Sequence, residues 1–174
     1  MILIKIIGSA LIVLSASLMG LYYSNRENFR IADLAEFKKT LILLRSEIEF
    51  SMTALPEAML TLSEKTSKKF APFYKYIGLR LNEKTGEGIG VIWREALEGA
   101  LLKTYFAAED IDYFRSLGDA LGVMDRALQQ NSLRMMTDYI DAKTDALYEA
   151  GIKSKKMYPS LGILGGILIA VVLL

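Results

Sequence analysis

The sequence predicts an all-α protein, in which a six-helix bundle is flanked by a transmembrane helix at each end. The chain of 174 residues is 52% hydrophobic and has a mean hydropathy of +0.29, which is more apolar than an ordinary soluble domain. All 20 acidic residues and every basic residue except Lys5 lie between Ser24 and Met157. The two ends therefore carry the apolar excess. No stretch alternates polar and apolar residues for long enough to predict a strand.

The first element is the charge-free stretch IIGSALIVLSASLMGLYY, from Ile6 to Tyr23. It has about the length that a bilayer core requires, roughly 17 to 25 residues, and its two final tyrosines suit the membrane interface. A cleaved signal peptide is the alternative, because residues 1–5 form a short basic start and residues 15–17 offer a small-x-small cleavage site. The length of the apolar run favours a retained anchor, predicted over residues 2–23.

The last element is MYPSLGILGGILIAVVLL, which is also free of charge and predicts a second span over residues 157–174. Basic residues lie on the inner side of both spans and none follows the second, so the positive-inside rule places the middle of the chain, residues 24–156, in the cytoplasm. Gly162 and Gly166 are four positions apart, which would let another membrane helix approach closely. Glycines that simply face lipid are an equally good explanation.

Between the spans, apolar periodicity predicts six helices separated by short breaks. In the first, Ile31, Leu34 and Leu41 recur on one apolar face. In the fourth, Trp93 shares a face with the neighbouring aliphatic residues, and we expect it to be buried. The six segments are 30–52, 54–66, 69–84, 88–106, 107–122 and 124–156, of which the last continues toward the second span.

Two motifs in the helical region resemble ligand sites but have simpler explanations. The glycine-rich GEGIG, residues 86–90, lacks a preceding strand and a Gly-Lys-Ser/Thr ending, so a turn between helices is expected instead of a phosphate loop. The acidic residues Glu109, Asp110 and Asp112 open a helix, where acids offset the positive end of the helix dipole. We therefore expect a solvated first turn, and no metal site.

The third candidate site is LRSEIEF, in which Arg45, Glu47 and Glu49 lie near the end of the first central helix. Glu47 and Glu49 are two positions apart and point roughly 200° away from one another, which is the wrong spacing for a shared acid and base. A salt-bridge network or a docking surface is expected. The chain has no histidine or cysteine, and we predict no catalytic residue, no cofactor and no enzyme activity. The helical region has no net charge, which argues against nucleic acid as a partner.

The stretch SLGDALGVMDRALQQ predicts a tightly packed corner between two helices. Gly118 and Gly122 lie on one face, where the missing side chains permit close approach of a neighbour or a left-handed helix cap. Asp125 is placed to cap the final helix, with Gln129 in its first turns.

The order and spacing of these motifs resemble the stage III sporulation protein AB family of spore-forming bacteria along essentially the whole chain. The motifs concerned are the two spans, LRSEIEF followed by ALPEAML, and SLGDALGVMDRALQQ. The resemblance implies a cytoplasmic domain similar to the F domain of type II secretion platform proteins, although those proteins usually carry two such domains. It also marks six positions for partner docking or structure, namely Arg45, Glu47, Gly118, Gly122, Asp125 and Gln129.

The functional implication of the resemblance is a platform protein in the mother-cell membrane around the forespore. Its expected partners are the secretion-ATPase-like stage III sporulation protein AA, other membrane proteins of the same complex, and the lipid bilayer; homo-oligomerisation is left open. One alternative is a signal-cleaved, tail-anchored extracytoplasmic structural domain. Another is a membrane enzyme or transporter subunit, which is disfavoured because neither span contains an ionisable residue after Lys5.

Overall fold

The computed structural model describes the backbone of residues 2–50, 53–100, 103–122 and 125–173, and the side chains chiefly of residues 25–151. Within these ranges the chain forms helices and turns and contains no strand, in agreement with the predicted all-α class. The six helices are α1 (Ile2–Phe50), α2 (Leu55–Lys65), α3 (Ala71–Asn82), α4 (Ile89–Ala100), α5 (Ala108–Leu121) and α6 (Arg126–Leu173).

The two long helices differ from the predicted segments in their extent. The sequence predicted a span and a separate helix over 30–52, whereas α1 runs without interruption from Ile2 to Phe50. The physical reason is that neither glycine nor proline occurs between residues 21 and 50 to end the helix. The sixth predicted segment, 124–156, is likewise part of a longer helix, because α6 runs from Arg126 to Leu173.

The chain divides into two compact units, one comprising Met1–Ile31 with Asp145–Leu174 and the other Ala32–Thr144. Among the residues that the structure describes, no helix combines the length and apolarity needed to cross a bilayer. The side chains of the predicted spans, 2–23 and 157–174, lie almost entirely outside this described part, as do Gly162 and Gly166.

The core of the Ala32–Thr144 unit is built on the apolar face predicted for α1. The ring of Phe37 is central, with ring centroids 4.6 Å from Phe114 and 5.7 Å from both Phe70 and Phe106. Aromatic pairs at such distances add to the energy of burial. The face also buries the aliphatic residues Leu34, Leu41, Leu44 and Ile48.

One polar contact is embedded in this core. The hydroxyl groups of Tyr74 on α3 and Thr40 on α1 form a buried hydrogen bond, and Thr40 Oγ1 also donates to the Phe37 carbonyl oxygen at 2.7 Å. Burial raises the pKa of the Tyr74 phenol well above its usual range, although the hydrogen bond with Thr40 acts in the opposite direction. The phenol therefore stays neutral in the folded domain.

The GEGIG stretch lies between α3 and α4, as predicted, and its last two residues are the first of α4. Gly86 adopts a left-handed conformation with φ of 85°, which glycine reaches without steric cost. Arg80 in the last turn of α3 holds the turn through ion pairs to Glu83 at 2.8 Å and Glu87 at 2.6 Å.

Candidate functional site

The first corner glycine lies directly against the single tryptophan. Trp93 on α4 is fully buried, and its indole Nε1 donates a hydrogen bond to the Phe114 carbonyl oxygen at 2.9 Å. A Cβ atom at position 118 would lie 2.6 Å from both Cβ and Cγ of Trp93, closer than real Cβ atoms approach. Gly118 therefore allows α4 and α5 to pack at this distance.

The second corner glycine ends α5 without reversing the backbone. Gly122 has φ of −72° and ψ of −12°, which is a right-handed conformation, so the left-handed cap considered from the sequence is wrong. A Cβ atom here would lie 3.1 Å from Ile89 Cγ2. Close approach to α4 is thus the role that the geometry supports for Gly122 as well, with less severe crowding than at Gly118.

Asp125 and Gln129 join the end of α5 to the start of α6. Asp125 Oδ1 accepts hydrogen bonds from the backbone N–H groups of Ala127 at 2.8 Å and Leu128 at 3.3 Å, which is the N-cap geometry. Gln129 Nε2 donates to the carbonyl oxygen of Leu121 at 2.8 Å, in the last turn of α5. The side chain of Gln129 thereby satisfies one of the carbonyl groups that a helix end leaves without a helical partner.

Near the end of α1, Glu47 and Glu49 have different ion-pair partners, in agreement with their spacing of two positions. Glu47 Oε1 forms an ion pair with Lys65 Nζ at 2.7 Å, linking α1 to the last turn of α2. On another side of the helix, Arg45 Nε lies 3.7 Å from Glu49 Oε2. Glu47 and Glu49 thus contact different basic residues, Lys65 and Arg45.

A buried carboxylate that the sequence reading did not single out connects three segments. Asp33 on α1 is only 2% exposed; its Oδ1 pairs with Lys69 Nζ and its Oδ2 accepts a hydrogen bond from the backbone N–H of Tyr105 at 2.8 Å. The available signal was the heptad spacing of Asp33 and Thr40, two polar residues beside the apolar face of α1. Both are buried in the structure.

The acidic start of α5 departs from the prediction at one residue. Asp110 was expected in a solvated turn, but it is fully buried and its Oδ2 accepts a hydrogen bond from the backbone N–H of Ala107 at 2.8 Å. Asp110 is the third residue of α5, and its carboxylate accepts from the backbone N–H of the N-cap residue, as the third residue of a capping box does. No group of three acidic, histidine or cysteine residues suited to a metal occurs in the part of the chain that the structure describes.

Two of the surface clefts in the described part of the chain lie between neighbouring helices of the Ala32–Thr144 unit, which we call the helical unit. The larger, of about 400 Å³, lies between α3 and α4, where the Tyr76 hydroxyl donates to Glu95 Oε2 at 2.8 Å beside the open surface of Gly99. The hydrogen bond to Glu95 raises the pKa of Tyr76. The smaller, of about 110 Å³, lies between α5 and α6 and is lined by Tyr113, Leu117, Met135 and Met136 together with small residues.

Comparison with known proteins gives consistent matches. A family model described as stage III sporulation protein AB matches residues 5–174. Stage III sporulation protein AB of Bacillus subtilis (strain 168) is 21% identical over 172 residues, which cover 99% of this chain and 100% of that protein. A solved structure titled stage III sporulation protein AB has a TM-score of 0.64 at 16% identity, covering 71% of this chain and 97% of the solved one. This structural likeness supports the helical fold.

Proposed function

Because the chain belongs to the stage III sporulation protein AB family, we propose that it acts in spore formation as a non-enzymatic platform protein of a membrane complex. The observation that carries this proposal is the extent of the family match, which leaves only residues 1–4 of this chain unmatched. The complex is the one that connects mother cell and forespore. The helical unit is the part that binds partners, in the manner of a type II secretion F domain.

Membrane attachment in this proposal rests on the two charge-free ends of the sequence, residues 6–23 and 157–174. The basic residues that border the middle region support a cytoplasmic orientation for it. The chain would then sit in the mother-cell membrane with its helical unit available to cytoplasmic proteins. Extraction of sporulating-cell membranes at alkaline pH tests the attachment, because an integral protein stays in the pellet and a soluble one is released.

The proposed partner of the helical unit is the secretion-ATPase-like stage III sporulation protein AA. The geometry of the corner supports a structural contribution to this docking. Gly118 packs on Trp93, Asp125 caps α6, and Gln129 donates to the end of α5. Since these groups are engaged within the domain, we propose that they hold α4, α5 and α6 in the arrangement that a partner recognises.

Cross-linking in sporulating cells, followed by isolation of the full-length chain, tests this docking. The wild-type chain should recover stage III sporulation protein AA, and the corner variant Gln129→Ala should lose binding only to the extent that it loses folded protein. If the wild-type chain recovers none of that protein, the docking proposal is wrong. A stably folded Gln129→Ala chain that no longer binds would instead assign the corner itself to the interface.

A further inference from the structure

The last turns of α1 have an exposed face that mixes polar residues with three large apolar side chains. We call this face the outer face, and it consists of Lys39, Ile42, Leu43, Ser46, Glu49 and Phe50. Ile42 is 49% exposed, Leu43 37% and Phe50 77%, while the opposite face of the same helix is buried in the core. Large apolar side chains that are exposed together on one face of a helix suggest a contact with another molecule.

The two edges of the outer face have different chemistry. At 100° per residue, Leu43 and Phe50 fall along one edge, Ser46 lies at the centre, and Glu49 falls along the other edge beside Arg45. The Arg45 and Glu49 side chains are 41% and 38% exposed and approach no closer than 3.7 Å, which is too far for a hydrogen bond. One edge is thus apolar, and the other carries one cation and one anion that are loosely paired.

We propose that the outer face binds the outer face of a second copy of this chain, with the two α1 helices antiparallel and crossing just after Ser46. In such a two-fold pair, a residue before the crossing faces a residue about equally far after it in the other copy. Leu43 then faces Phe50 of the second copy along the apolar edge. Arg45 faces Glu49 of the second copy along the charged edge.

Charge complementarity identifies the occupant as a second copy. The two-fold axis duplicates both contacts, so a single helix face supplies two cross-copy ion pairs and two aromatic–aliphatic contacts. Ser46 meets its own counterpart, and its small side chain permits the close crossing. The inference concerns self-association and does not depend on the sporulation partners proposed above.

A cysteine at the crossing tests the proposal directly, because the chain has no native cysteine. The full-length Ser46→Cys chain should form a disulfide-linked dimer under mild oxidation. Ser116→Cys, at an exposed serine on α5, is the matched control and should cross-link at least roughly fivefold less, since only the crossing brings identical residues together. Equal cross-linking of the two variants would overturn the proposal.

Charge variants in the Ser46→Cys background test the register. Arg45→Glu should lower the dimer yield several-fold because it sets a new carboxylate of one copy against Glu49 of the other, whereas the exchange Arg45→Glu with Glu49→Arg should restore it. Circular dichroism of each variant establishes that the helical fold is retained. If Arg45→Glu leaves the dimer yield unchanged, the outer face has a different occupant or register, and the proposed contact is wrong.

Discussion

Trp93 occupies the space that any side chain at Gly118 would need. Its Cβ and Cγ atoms lie 2.6 Å from the position of a Cβ atom at residue 118, and its indole N–H is bonded to the backbone of the same helix at Phe114. The tryptophan thereby fixes both the distance and the register between α4 and α5. Rotation of the ring about its Cβ–Cγ bond would not free this space, because that rotation leaves both of these atoms in place.

Gly118→Ala should consequently destabilise the domain by about 1 to 3 kcal/mol through overpacking. Gly99→Ala is the matched control, because Gly99 is also helical and a Cβ atom there meets no atom within 4 Å. That control should be neutral or stabilising by up to about 1 kcal/mol, the usual gain of alanine over glycine in a helix. Urea unfolding of the full-length chains measures both, and equal effects would contradict the close-packing role of Gly118.

Gln129→Ala should lower the melting temperature, because it removes the hydrogen bond to the Leu121 carbonyl oxygen, worth about 1 kcal/mol. Asp125→Ala should cost a similar amount, about 1 kcal/mol, through loss of the α6 cap. Gln130→Ala, at the next position of α6, serves as the control. If the melting temperature of Gln129→Ala is unchanged, the hydrogen bond to Leu121 does not stabilise the domain, and a role of this side chain in partner binding is favoured.

Asp33→Ala should destabilise the domain by roughly 1.5 to 3 kcal/mol, the usual loss for hydrogen bonds to a charged group. The variant leaves Lys69 and the backbone N–H of Tyr105 without their common acceptor. Asp141→Ala breaks an ion pair with Lys38 in which the Asp141 side chain is 53% exposed, and should cost less than about 1 kcal/mol. Denaturant midpoints of the two variants should differ accordingly; similar midpoints would contradict a special role for Asp33.

Tyr74→Phe should change how stability depends on alkaline pH. Because the pKa of Tyr74 is raised in the folded state, its neutral form contributes stability that is complete below about pH 10, the pKa of an unfolded tyrosine, and is lost as pH rises further. The phenylalanine variant should lose about 1 kcal/mol at neutral pH with the Thr40 hydrogen bond. Above pH 10 its unfolding free energy should fall less steeply than that of the wild type.

Tyr148→Phe, at a residue that is 57% exposed, is the control for removal of a tyrosine hydroxyl group. Its stability curve should follow that of the wild type, since the substitution removes no buried contact. Parallel curves for all three proteins above pH 10 would mean that burial of Tyr74 has no influence on alkaline stability.

The helices and the corner were predictable because their causes are local in the sequence. Apolar periodicity located the core face of α1, a proline marked the start of α2, and two glycines followed by Asp125 marked the corner. The burial of Trp93 followed from its helical face. Each of these signals operates over one or two helical turns, so no knowledge of the tertiary structure was needed.

The polar contacts between helices were not predictable on the same grounds. Asp33 contacts a lysine 36 positions away and a backbone group 72 positions away. Its heptad spacing from Thr40 places it beside the apolar face but does not identify these distant partners. Asp110 illustrates the same difficulty, because an acid in a first turn can either face water or fold back on the preceding backbone. The left-handed conformation considered for Gly122 was wrong. Close packing against Ile89 explains the absence of a side chain at this position instead.

The burial of Trp93 also gives the protein a spectroscopic reporter. The chain contains a single tryptophan, so its intrinsic fluorescence arises from one indole at the contact of α4 and α5. Emission from the folded chain should be blue-shifted and poorly accessible to iodide or acrylamide, and loosening of that contact alone should shift it to the red. Phe73, whose ring lies edge-on to the indole with centroids 4.9 Å apart, extends the reporter's sensitivity to α3.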